Sequence, residues 1–127
     1  MGRTLKGKRK MTKHINTIEL FRSTGGAIAQ NNAINSDPVD LRMLALEGSF
    51  SLHMIHAGGT ITATVLVCSI EGGTYVAPST PVVIFLTKAA GSYFASFTPP
   101  VAPFMKIRFT ETNVAPVSTM DAWLNLH

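Results

Sequence analysis

Four histidines, one cysteine and seven carboxylates are the groups through which this 127-residue chain could do acid–base, nucleophilic or metal chemistry. His53 and His56 are the close histidine pair. A separation of three on a strand sends two side chains to opposite faces, so the pair could share a metal only on a helix. Phe50, Leu52 and Met54 alternate with Ser49, Ser51 and His53, which argues for a strand and for histidines at the surface or rim. Cys68 lies in an apolar run with no CxxC spacing and no basic neighbour to activate it, the setting of a buried structural thiol. Gly48-Ser49-Phe50-Ser51 lacks the second glycine of a nucleophile elbow. Asn35, Asp37 and Asp40 form the densest set of oxygen ligands, yet their carboxylates are few for calcium and Asp-Pro is an ordinary turn starter. Walker, dinucleotide and HExxH patterns do not occur. The expectation is a protein that is not an enzyme and uses no metal or cofactor.

The stronger signals are apolar and electrostatic. Trp123 falls between Asp121 and Asn125 on the polar phase of the last apolar alternation, and Phe104 falls opposite Met105, Ile107 and Phe109. Tyr93 and Phe94 are adjacent, so one of them leaves the core. Tyr93, Phe104 and Trp123 are therefore candidate interface residues, to be covered by a second layer, by a loop or by a partner. The formal net charge is +4, but it is unevenly placed. Arg3, Lys6, Lys8, Arg9, Lys10 and Lys13 are six of the eleven basic residues and precede the first acid, Glu19. From His14 onward five basic residues face seven acidic ones, a balance of −2. A basic arm over residues 1–14 thus leads into a slightly acidic domain over 15–127, and its cations join the candidate interface. No apolar stretch suited to a signal peptide follows the arm, and no run reaches the ~18 residues of a membrane helix.

The elements that must position these residues follow from period and punctuation. Hydrophobic residues make up 46% and charged residues 14%, against roughly 25% charged in typical domains, which excludes wholesale disorder. Short apolar stretches at 15–21, 27–34, 39–44, 48–55, 60–70, 75–77, 82–86, 93–97, 104–111 and 117–126 are separated by Gly-Gly, Asp-Pro and Pro-Pro signals. Gly58-Gly59 and Gly72-Gly73 read as turns bracketing one long strand, and at most a turn near 41–47 is helical. The period of two and the ten glycines and seven prolines predict an all-β chain, an antiparallel β-sandwich or jelly roll with an extended N-terminal arm.

Four segments carry a family likeness: Ser36-Asp37-Pro38-Val39-Asp40-Leu41-Arg42, Gly48-Ser49-Phe50-Ser51-Leu52, Gly73-Thr74-Tyr75-Val76-Ala77-Pro78-Ser79 and Ala102-Pro103-Phe104-Met105-Lys106-Ile107-Arg108. In type and order they resemble small β-sandwich virion proteins of tailed bacteriophages, prophages and phage-derived gene transfer agents. The likeness spans about residues 35–126 and leaves the basic arm outside it. It implies a structural role on a particle, as a capsid decoration or stabilising protein or as a neck or tail component. It also implies a homo-oligomer bound to major capsid protein or neighbouring virion subunits, made in the bacterial cytoplasm and resident in the virion. It carries over no catalytic residue. From the residues themselves, a carbohydrate-binding module and a nucleic-acid-associated β protein remain as alternatives. Were all six arm cations to meet phosphates, log K for nucleic acid would fall against log[salt] with a slope of about −4 to −5, and a flat salt dependence in a titration removes that role.

Overall fold

A computed structural model describes residues 16–22, 28–42 and 49–126. Within them the chain is all-β, with strands β1 (Asn16–Phe21), β2 (Ala33–Asn35), β3 (Val39–Asp40), β4 (Phe50–Cys68), β5 (Val83–Phe97), β6 (Phe104–Glu111) and β7 (Thr119–Leu126). The arm at 1–14 and residues 43–47 of the suggested turn lie outside the described residues. Every pairing is antiparallel, in the order β1-β7-β4-β6-β2, with β3 also on β6 and β5 on the other edge of β4.

The nineteen-residue strand β4 organises the rest. Its first part pairs with β7 from Phe50↔Leu126 to Ala57↔Thr119, and its second with β6 from Ile61↔Glu111 to Cys68↔Phe104. β5 follows both parts, from Phe50↔Phe97 to Thr64↔Val83. One sheet is thereby folded into two halves that share β4 and β5 and close on each other, as in sandwiches whose strands cross between layers at a bulge. The Phe21 ring of β1 meets the Phe109 ring of β6 edge-on, with centroids 5.5 Å apart. Between the halves lie Leu52, Met54, Ile61, Ile107, Phe109, Met120 and Leu124, all fully buried. The inward phases expected for 48–55, 104–111 and 117–126 are those observed.

Gly58-Gly59 is a bend inside β4 and not the turn that the dipeptide suggests. Both residues have positive φ, 79° and 64°, and the β5 register shifts between His56 and Thr60. A Cβ on Gly58 would stand 2.6 Å from the Pro116 carbonyl oxygen, and one on Gly59 2.5 Å from that of Ala115. Only glycine fits both the torsion and the approach. Gly91-Ser92 also lies within a strand, so the stretches 82–86 and 93–97 join as β5. The expected strand at 75–77 is a single bridge, Val76 to Val67, and 27–34 contracts to an Ile28 bridge with Val117 followed by β2.

Glu111 pins the bend. Its side chain is buried at the end of β6. Oε1 accepts from the backbone N–H of Asn31 and Asn113, both at 2.7 Å; Oε2 accepts from Thr60 at 3.2 Å, Val114 at 3.0 Å and Ala115 at 3.4 Å. Burial alone would raise the carboxyl pKa, but the N–H groups of Asn31, Val114, Thr60 and Asn113 outweigh it and hold the group down at about 2. His56 is buried beside the bend, where the rim had been expected, with Nδ1 3.0 Å from the Gly58 carbonyl and Nε2 3.0 Å from that of Lys88.

Gly59→Ala is expected to cost about 1–3 kcal/mol in denaturant unfolding, whereas Gly72→Ala, whose Cβ would meet open space, should stay within about 0.5 kcal/mol. The Glu111 carboxyl sits lower in the folded chain than its ordinary 4.5, so its contribution is whole above that pH and drains away as pH falls toward 2. Unfolding midpoints measured down this window should decline in the native chain, and Glu111→Gln should flatten the decline while lowering the plateau.

Candidate interaction surface

The outer face of the β1–β7–β4–β5 half is where the outward-phase residues converge. The register sets Glu19, Trp123, His53 and Phe94 in one row across four strands. Beside it run Thr17, Asn125, Ser51 and Ser96 in a second row, and Asp121, Ile55 and Ser92 in a third. The Trp123 and His53 rings stand 4.9 Å apart at 35°, and the His53 and Phe94 rings 5.3 Å apart at 43°. This is a ladder of rings tilted against one another, with no two sharing a plane. A sugar-binding platform needs ring faces open side by side in one plane, and the ladder does not provide that. Phe94 closes the row at 63% exposure, and Ile55 next to it is 39% exposed.

The polar groups around the ladder are bonded to each other. Thr17 Oγ1 donates to Asn125 Oδ1 at 2.7 Å, and Asn125 Nδ2 donates to Ser51 Oγ at 3.2 Å. His53 Nε2 lies 3.4 Å from Ser92 Oγ, and Arg22 Nε donates to Glu19 Oε1 at 2.6 Å. Among the described residues no three His, Cys, Asp or Glu side chains gather where they could hold a metal. The face sets three rings beside a run of side-chain hydrogen bonds from Thr17 through Asn125 to Ser51, which suits docking against another surface.

On the opposite outer face, along β6, Phe104 is covered while Arg108 stays exposed. Phe104, expected to face outward, is only 5% exposed because Arg42 lies over its ring at 4.8 Å. Arg42 is held there by Asp40, whose Oδ1 accepts from the Arg42 backbone N–H and Nε and whose Oδ2 accepts from Nη2 at 2.8 Å. These side-chain hydrogen bonds pull the Asp40 carboxyl down to about 2. Both of its oxygens serve Arg42, which leaves the suggested Asn35, Asp37 and Asp40 cation set without its best ligand. Tyr75 reaches back to put its ring 4.6 Å from Lys106 Nζ. Cys68, expected to be buried, is half-buried at the end of β4.

Of the candidate interface residues, Trp123 takes its place on the open face. Tyr93 turns inward, its ring 5.9 Å from Phe85 and its hydroxyl donating to the Ala89 carbonyl at 2.7 Å; its neighbour Phe94 is the outward one. Arg3, Lys6, Lys8, Arg9, Lys10 and Lys13 lie outside the described residues. Sequence reasoning passed over His53 as the centre of the row. Its outward phase was legible, but its neighbours across the sheet were not.

No family model and no curated protein matches the chain. Among solved structures, it is similar to part of one chain in "Structure of infectious bursal disease virus Gx strain". The overlap covers 89% of this chain and 29% of that one, at 10% identity and a TM-score of 0.43, and at that score it carries no functional argument. The antiparallel β-sandwich rests on the strand pairing itself.

Proposed function

We propose that this protein is a non-enzymatic structural subunit of a phage-type virion, a head decoration or capsid-stabilising protein that docks through the Trp123–His53–Phe94 face and its basic N-terminal arm. The observation that carries the reading is the ring ladder, an open apolar strip on a folded sheet whose surrounding polar groups are already bonded to one another. Such a face gains from meeting a complementary surface and has few free polar groups to aim at a small ligand. The sequence likeness to phage virion β-sandwich proteins supports the same role. A neck or tail position presents the same kind of neighbour and is the alternative placement. Fourteen extended arm residues reach roughly 45 Å, far enough to lie on an adjacent subunit, where opposite charge would offset the entropy of ordering them.

The test is light scattering and co-sedimentation of the full chain, beside a chain beginning at His14, with particles assembled without this protein. Binding by the full chain that is lost with the arm supports the role; a chain indifferent to particles in both forms overturns it. Trp123→Ala should keep the circular dichroism and cooperative unfolding of the native chain, losing about 1–2 kcal/mol of ring contact and burial, and should weaken particle binding at least about ten-fold. Unchanged particle binding would remove the ladder from the docking face.

A further inference from the structure

Strand β5 ends the folded sheet with an open edge. It pairs with β4 alone among the described residues, so along 91–97 the side of β5 away from β4 has no strand partner among them. Proteins ordinarily blunt such an edge with proline, charge or a short strand. β5 has no proline and a single charged residue, Lys88, whose Nζ is drawn 5.6 Å from the Tyr93 ring. Over residues 91–97 the edge pairs regularly with Phe50–His56. Tyr93, Ala95 and Phe97 face the core side there and remain half-buried, while Phe94 on the outer face is 63% exposed.

We propose that residues 91–97 of β5 pair antiparallel with the same segment of a second copy of this chain, with the two-fold axis at Phe94. The segment reads Gly-Ser-Tyr-Phe-Ala-Ser-Phe and is complementary to itself about that residue. In this register Phe94 meets Phe94 of the second copy, Ser92 meets Ser96, Tyr93 meets Ala95 and Gly91 meets Phe97. Each bulky inward side chain faces a small one, and the outer row becomes continuous, with the ladder of one copy running through the two Phe94 rings into the ladder of the other. A shift by one residue would set inward side chains against outward ones and lose both matches. The contact is isologous and closes on itself, so it stops at two copies. The basic arm is the poorer occupant, because β5 carries no carboxylate to receive it.

The pairing does not depend on the virion role. It is read on the full chain without particles, so a dimer that ignores particles removes that role and leaves the pairing standing. Light scattering of the native chain should give a dimer. Phe94→Lys sets like charges against each other at the axis and should raise the dimer dissociation constant at least about ten-fold with circular dichroism unchanged. In a Cys68→Ser background, Phe94→Cys should form an intermolecular disulfide on mild oxidation, since directly opposed residues on an antiparallel pair stand about 4.5–5.5 Å apart at Cα. Ser92→Cys alone should not link, its two copies being about 13 Å apart along the strands, whereas Ser92→Cys mixed with Ser96→Cys should. A native chain that stays monomeric at its highest soluble concentration overturns the proposal. So does a dimer that survives Phe94→Lys, links through Ser92→Cys alone, or dissolves only when residues 1–13 are removed.

Discussion

A buried carboxylate that accepts five backbone N–H bonds holds this fold in its bent form. Glu111 ends β6, yet its two oxygens bind the segment before β2 at Asn31, the restart of β4 at Thr60 and the β6–β7 loop at residues 113–115. Asn31, Asn113, Val114 and Ala115 lie outside the strands, and Thr60 falls between the stretches of β4 that pair with β7 and with β6. An apolar residue at position 111 would leave all five without this acceptor. The Thr60 and Thr112 hydroxyls pair beside the carboxylate, and Asn32 accepts the Glu111 N–H. The corner is a small polar network inside an apolar sandwich, and it is fully engaged.

The bend that Glu111 secures decides what each face can do. Because β4 and β5 both cross it, one sheet supplies both layers, and its two outer faces have different neighbours. On the β6 side Arg42 lies over Phe104 under the grip of Asp40, and Tyr75 returns to Lys106. On the β7 side Thr17, Asn125 and Ser51 bond within their own surface, and Phe94 stands open beside them. The asymmetry places the apolar outer surface and the open β5 edge next to each other, since Phe94 belongs to both.

The reading of individual strands was good where period two could be tested, because alternation reflects a local torsion that repeats along one chain. Phe50, Leu52 and Met54 point in as expected, as do Met120, Ala122, Leu124 and Leu126. It went astray at Gly58-Gly59. Gly58-Gly59 and Gly72-Gly73 look alike in sequence, but the first continues a strand through a bulge and the second sits in the turn after it. The difference is set by the Ala115 and Pro116 carbonyls, which arrive from more than fifty residues away. Tyr93 went astray because adjacency says that one of Tyr93 and Phe94 leaves the core and not which, and Phe104 because of a neighbour. Alternation tells which side of a strand a ring leaves from and says nothing of the arginine or tyrosine that comes to lie on that side.

The amino-acid sequence alone determined the all-β class, the inward phase of the long strands and the separation of a basic arm from a mildly acidic body. Each of these depends on residue type and near-neighbour spacing, through steric torsion preferences, burial of apolar side chains and the sign of formal charge. Tertiary structure decided the fold of one sheet into two halves, the burial of Glu111 and His56, the covering of Phe104 and the joining of Trp123, His53 and Phe94 into one row. Those features depend on which distant strands lie side by side and in what register. A hydrogen bond or a ring contact exists only between partners whose meeting is set by the packing of the whole chain.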